Sequence, residues 1–446
     1  MAQRVELIRR NGLLMGPYHR LSPRRAHRST GRTDVIQQAD RSILRDLAKQ
    51  VAEIAALPIQ TTRRRQWVRH NSLQTKHPMM LLFPEGAWEE LLPERALLCG
   101  GERARHMEWQ LRSRIYHHAH FQDDTVIEGE WLVQKVIHSS GWGLQPRRIA
   151  SPEARGAYKF DPVLLGPSDL EKLQFPEVTY DHGATDRALE EAQELFGDIL
   201  RVRPKGVGHI SYHLMNQYVH WRGLEVAMLD MYLQPQFLHD TVAFLEEGHR
   251  CVLEQYVGQN LLSLNNDATY QSSGGNGYTD ELPKPEFDPA HVRPCDIWAS
   301  AEAQEFAQVG PKQHAEFALQ YERRLLAPFG LTGYGCCEDL TRKLDDVLTV
   351  PNLRRVSISP FADIERCAER LGGEVVFSWK PHPAHLVGDF DEAAIRKYIR
   401  RALEITQREG CVLEMVLKDT HTCEHRPERF DRWTQIARQE IERLGA

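Results

Sequence analysis

From about residue 330 to the C-terminus, short apolar runs alternate with helical patterns, and that rhythm restricts the fold more than any other feature of the chain. The runs are LTGYG (331–335), RVSIS (355–359), EVVFSW (374–379) and CVLEMVL (411–417), with NLLSL (260–264) upstream. Most are nearly continuous in apolar residues rather than alternating, the pattern of parallel strands covered on both faces. Between them stand PKQHAEFALQYERRLLAPFG, DLTRKLDDVLTV, FADIERCAERLGG and DEAAIRKYIRRALEITQREG, and PERFDRWTQIARQEIERLG follows the last strand. The first opens on proline and stops at Gly330, and two others close on glycine, which is ordinary helix punctuation. Strand and helix repeated at this spacing predict right-handed βα units.

The first half is more helical and less regular. MMLLFPEG (79–86) and VGHISYH (207–213) read as further strands. ERARHMEWQLRSRIYHHAHF and ATDRALEEAQELFGDIL read as helices, and the stretch from His220 to Val257 reads as a helical pair broken near Pro235. Seven or eight strands predict an α/β fold, a (β/α)8 TIM barrel with a helical N-terminal elaboration. A doubly wound sheet is the runner-up, but no glycine-rich dinucleotide fingerprint follows a strand. Residues 1–32 carry eight arginines against the single acid Glu6 and read as a loosely packed basic extension, leaving 33–446 as a single barrel domain.

Composition narrows the function classes. A formal charge of −6 gives no overall attraction to nucleic acid or anionic membrane. No apolar run approaches the ~20 residues that span a bilayer. The chain opens on MAQRVELIRRNG, without a secretory pattern, and its eight cysteines are scattered rather than spaced as a disulfide framework. A cytoplasmic protein with reduced thiols is the expectation.

In a barrel the chemistry sits where the strands end. The run ending at Leu264 delivers Asn266 and Asp267, and LTGYG delivers Cys336, Cys337 and Glu338. RVSIS delivers Ser359, EVVFSW delivers Lys380 and His382, and CVLEMVL delivers Lys418, Asp419 and His421. MMLLFPEG ends in Glu85. Loops are polar in any protein. Thiols, amines, imidazoles and carboxylates gathered on one rim are more than that baseline. Two adjacent thiols and an acid suit a soft-metal site, a reactive thiol or plain packing, and successive residues on a strand point to opposite faces. Lys380 and His382 are expected to bind an anionic substrate group, with Asn266 and Glu85 beside them. Asp267, Asp419 and Lys418 are the candidates for proton handling. The glycine-rich SSGGNGY (272–278) reads as a flexible segment able to close over a ligand. His209 and His213 read as structural.

From about residue 200 onward the chain resembles the uroporphyrinogen decarboxylase superfamily, which includes corrinoid-linked methyltransferases. WRGLEVAMLDMYLQPQFLHD, LNNDATYQSSGGNGY, VGPKQHAEFALQYERRLL, GYGCCE, VSISPFADIERCAERLGG and IRKYIRRALEIT occur in the family's order. The resemblance implies a TIM barrel. It also implies, for the methyltransferase branch, zinc or a similar divalent metal that keeps a methyl-accepting thiolate available at neutral pH. The branch's His-x-Cys strand end is absent, since Tyr334 and Gly335 stand where the histidine would be. The implied ligand set is therefore mixed: Cys337 or Cys336, His421, and a carboxylate from Glu338 or Asp419. The arginine-rich pyrrole-binding motif of the porphyrinogen decarboxylases is not found.

The leading expectation is a metal-dependent methyltransferase-like enzyme acting on a small anionic substrate or thiol, with a corrinoid-carrying protein as the implied partner and a homodimer left open. The competing expectation is a metal-independent decarboxylase or lyase on a small carboxylated substrate. A non-enzymatic binding barrel is the third class, disfavoured by the ionisable rim.

Overall fold

The computed structural model describes residues 36–149 and 159–444, so the basic extension 1–32 lies outside the described residues. Seven strands form one parallel sheet: β1 (Met79–Leu82), β2 (Ser211–Tyr212), β3 (Trp298–Ala301), β4 (Leu331–Tyr334), β5 (Leu353–Ile358), β6 (Val376–Trp379) and β7 (Val412–Leu417). Their order is β2-β3-β4-β5-β6-β7-β1. Neighbours in sequence are neighbours in the sheet, and only β1 joins out of turn, beside β7. An order without a reversal point is not that of a doubly wound sheet.

The helices follow the predicted rhythm. In the C-terminal half α8 (Ile364–Leu371), α9 (Glu392–Arg408) and α10 (Glu428–Leu444) separate or follow the strands. Asp391 accepts a hydrogen bond from the Ala394 N–H at the start of α9, and Ile395, Ile399, Ala402 and Leu403 form its buried stripe. Of DLTRKLDDVLTV only Leu344–Val347 is helical. Upstream, the expected helical pair is three helices, α5 (Leu214–Arg222), α6 (Leu224–Leu233) and α7 (Pro235–Gly258), because Gly223 at φ 82° interrupts it before Pro235 does. The N-terminal elaboration has its own core, where Leu44, Leu47 and Val51 of α1 (Gln38–Ala55) meet Leu111 of α3 (Glu102–His120) and Leu195 of α4 (His182–Phe196). Between α1 and α3 lies α2 (Pro58–Asn71).

Two strand expectations need correction. NLLSL supplies only one parallel bridge, Leu262 with Val207, and Trp298–Ala301 is the strand beside β2. Asn265 explains the difference. Its side chain donates to the carbonyls of Gly208 and Trp298 and accepts from the Trp298 N–H at 2.9 Å, doing with one amide what a continued strand would do with its backbone.

The strands are not apolar on both faces. Met80, Val356, Ile358, Phe377, Leu413 and Met415 point to the main apolar core. Alternate positions carry Ser300, Arg355, Ser357, Ser378 and Glu414, all buried. Arg355 Nε lies 2.9 Å from Glu414 Oε1, its Nη2 donates to Asn71 Oδ1 at 2.7 Å, and its guanidinium lies 5.1 Å from the Trp298 ring centre. Against the cost of burial, Arg355 holds the Glu414 carboxyl well below its usual value, with His70 and Lys380 adding.

SSGGNGY is the larger surprise. Tyr270–Gln271 and Gly275–Asn276 pair as an antiparallel hairpin packed on this polar face, and residues Ser273 to Thr279 are buried. A Cβ on Gly275 would lie 2.3 Å from Arg355 Cζ, and one on Gly274 2.7 Å from Val416 Cγ1. These glycines serve close approach rather than mobility. Two stability outcomes follow. Glu414→Gln leaves a buried guanidinium uncompensated and should cost about 3–5 kcal/mol in urea unfolding. Gly275→Ala should cost about 1–3 kcal/mol, because the guanidinium it meets is fixed by its partners; a neutral result would show that the hairpin is not seated on Arg355.

Candidate active site

Because every strand of the sheet runs the same way, the residues just past the strands share one edge. On the polar face that edge carries His213 after β2, Glu302 after β3, Cys336 after β4, Ser359 after β5, Lys380 after β6 and Lys418 after β7. The hairpin contributes Tyr270 and Ser273 from below.

The best-connected group is Cys336. Its Sγ lies 3.2 Å from Ser273 Oγ, 3.4 Å from Cys337 Sγ and 3.9 Å from Lys418 Nζ. Lys418 Nζ also donates to Ser273 Oγ at 3.0 Å and approaches the Tyr270 hydroxyl at 3.4 Å. The hydrogen bond from the Cys337 thiol lowers the Cys336 pKa, and Lys418 lowers it further against the effect of burial. The same hydrogen bond, with burial, pushes Cys337 well up. Cys336 is thus the more acidic thiol of the pair and Cys337 the less acidic one. Burial opposes the charge on Lys418, but Cys336, Tyr270 and Asp419 outweigh it and keep the amine protonated. Asp419, at φ 60°, brings Oδ2 to 3.7 Å from Cys337 Sγ.

A second pair faces this one. His213 Nδ1 and Glu302 Oε1 are in close contact, and Glu302 Oε2 accepts from the Gln304 N–H at 2.8 Å. Burial alone would lower the His213 pKa, but Glu302, with Cys336 and Glu305 adding, raises it to about 9. Glu305, bonded to Asn216, is raised to about 7 by burial and by Glu302. An imidazolium locked to a carboxylate is a proton donor at neutral pH, and it lies within electrostatic reach of the Cys336 thiol beside its ammonium partner Lys418.

The other expected residues have different surroundings. Lys380 is buried, donates to Ser378 Oγ at 2.5 Å, and is lowered to about 7 by burial with Lys418 and Arg355 acting in the same direction. Glu414 and Cys336 act on it in the opposite direction. His382 Nδ1 accepts from the Ala384 N–H and caps a short turn. Asn266 Nδ2 donates to the Leu282 carbonyl. Asp267 pairs with Lys205 at 2.8 Å and Arg203 at 3.5 Å, away from the thiols. Glu85, at φ 49°, raises the pKa of Tyr270 electrostatically, which places it by the same opening.

Of the mixed metal set, Cys336, Cys337 and Asp419 stand together, whereas Glu338 has other partners. Glu338 is fully buried, and its two oxygens accept from the Ala303 and Cys336 N–H groups at 3.2 and 2.8 Å, so it anchors the loop after β4. His421 is exposed and packs beside Gly86. Among the described residues no group of three or more His, Cys, Asp or Glu is arranged to hold a metal ion.

His213 and Glu302 were missed as a pair. From the residues alone His213 is structural, and Glu302 follows Trp298–Ala301, a strand outside the sequence expectations. The usable signal was WASAE (298–302), four residues of strand length ending in a carboxylate.

Two measurements test the electrostatics. Iodoacetamide should alkylate Cys336 before Cys337, with a pH midpoint below the ordinary thiol value, and Lys418→Met should move that midpoint upward; mass spectrometry locates the label, and prior labelling of Cys337 would reverse the assignment. His213 stabilises the fold fully below its unfolded pKa of 6.5, and that contribution is lost as pH rises through about 9. The melting temperature of the wild type should therefore fall between those limits more than that of His213→Asn.

Among the described residues no helix is long and apolar enough to cross a membrane. No model of a known protein family matches the chain, and no curated protein matches it.

Proposed function

We propose that the protein is a metal-independent carbon–carbon lyase of the decarboxylase type, acting on a small carboxylated substrate at the mouth of a closed (β/α)8 barrel. The arrangement of the sheet edges supports closure. The Asp124 and Asp123 carboxylates accept from the Met80 and Leu82 N–H groups along β1. Glu130–Gln134 pairs in parallel with Arg201–Lys205, which leads into β2. On this reading those segments stand in for the eighth strand.

The observation that carries the chemistry is the imidazolium of His213, held charged by Glu302, facing the Cys336–Lys418 pair. Lys418 and the Tyr270 hydroxyl orient the substrate carboxylate. The bond between that carboxylate and its neighbouring carbon breaks, the electron pair goes to the carbon, His213 delivers a proton there, and carbon dioxide leaves. One proton enters and one carbon dioxide departs, so no oxidant, reductant or further reactant is required. Proton transfer by a placed side chain contributes about 10²–10⁴-fold. The resemblance to the uroporphyrinogen decarboxylase superfamily agrees with this reaction class.

Methyl transfer is the second reading, and the Cys336 thiolate favours it, with the corrinoid-carrying partner as the implied destination of the group. The two separate experimentally. Chelator-treated protein should release carbon dioxide from a member of a panel of small carboxylates, place solvent deuterium on the product carbon, and slow about 10²–10⁴-fold in His213→Asn. Transfer of a labelled methyl group, appearing only after a divalent metal is restored, would overturn the lyase.

A further inference from the structure

A cavity of about 850 Å³ opens beside this site, in the gap between β1 and β2. That volume is in the range of sites for small ligands, which span roughly 300–1,000 Å³. Apart from Tyr270, Asn266, Asp267 and part of the 272–278 segment, its walls use residues that neither the lyase chemistry nor the sequence expectations assigned to a ligand.

The charge of the wall is unbalanced. Arg64, Arg114, Lys135, Arg203 and Lys205 line it, against the carboxylates Glu128, Glu130 and Asp267, a surplus of two cations. His209 and His249 also line it, and burial holds both near 4, so they add no charge at neutral pH. Lys205 is a built element rather than a surface lysine. It is 4% exposed, and its Nζ is fixed by Asp267, Thr269 and the Leu264 carbonyl. Cations fixed in a half-enclosed wall select anions more strongly than mobile surface ones do.

The opposite wall is aromatic. Trp142, Tyr212, His249 and Tyr256 line it, with the His249 ring 5.0 Å from Trp142 and 5.3 Å from Tyr212. Tyr212 adds a second, independent sign of a ligand. It is 3% exposed, and its hydroxyl is buried without a hydrogen-bond partner. A buried phenol with no partner costs stability unless something else in the cavity accepts its proton. Phe83 and Tyr270 form the end of the cavity nearest Lys418.

We infer that this cavity is a binding site for a small anion with an aromatic body, its charge held by the cationic wall and an acceptor atom turned to Tyr212. The site stands whichever reaction the neighbouring thiolate performs.

Naphthoate is a suitable probe, with naphthylmethanol as its neutral counterpart. Naphthoate should quench the tryptophan fluorescence of the full chain saturably, more weakly as salt is added, and naphthylmethanol should bind about tenfold less tightly or worse. Leu132 lines the cavity, and Leu132→Trp narrows it without altering a charge and should weaken binding at least several-fold. Tyr212→Phe removes only the unpartnered hydroxyl; it should melt no lower than the wild type and bind several-fold more weakly, which keeps the test decisive if Leu132→Trp does not fold. Cys336→Ser and His213→Asn should bind naphthoate normally, so failure of the lyase reading leaves this result intact. Equal binding of the charged and neutral probes, no binding of either, or an unchanged affinity in Leu132→Trp would overturn the inference.

Discussion

The buried Arg355–Glu414 pair is the constraint around which the polar face is organised. Two charges removed from water are tolerated only when neighbours satisfy their remaining hydrogen-bonding capacity. Here those neighbours come from all over the chain. Asn71 at the end of α2, the Asn276 carbonyl of the hairpin, the Trp298 ring of β3 and Ser378 of β6 all meet the pair. Each element that touches it is fixed relative to the sheet, and the hairpin can lie so close only because position 275 has no side chain.

That arrangement reaches the candidate active site through two routes. Ser378 links Glu414 to Lys380, whose ammonium is weakened by burial and by the cations around it. The seated hairpin lifts Ser273 and Tyr270 to Lys418 and Cys336. A thiolate needs a nearby positive charge to persist, and a buried ammonium needs a negative one. The two stabilise each other at the strand ends, as His213 and Glu302 do across from them. The opening therefore holds groups of both signs in fixed places.

Much of this was legible in the residues. The runs at 331–335, 355–359, 374–379 and 411–417 are β4 to β7 within one or two positions, and the strand-end rule found Cys336, Cys337, Lys418 and Asp419. Other parts were misread for reasons of the same kind. Periodicity cannot distinguish a short strand from a run whose work is done by one amide, as at Asn265. Glycine richness marks freedom of the backbone in a mobile loop and close approach in a packed one, and only the neighbours decide which. Glu338 carries the right atoms for a metal, yet two backbone N–H groups claim both of its oxygens.

The sequence by itself determined the alternation of strands and helices, and the chemical types delivered where the strands end, because both depend on residues close together along the chain. Tertiary structure alone decided which thiol is the more acidic, that His213 meets Glu302 across 89 positions of sequence, that a glycine hairpin fills the polar face, and that an aromatic, cation-lined cavity adjoins the strand ends. Those outcomes arise from charges and surfaces brought together by long-range closure of the fold, and no local pattern records which distant partner a side chain will meet.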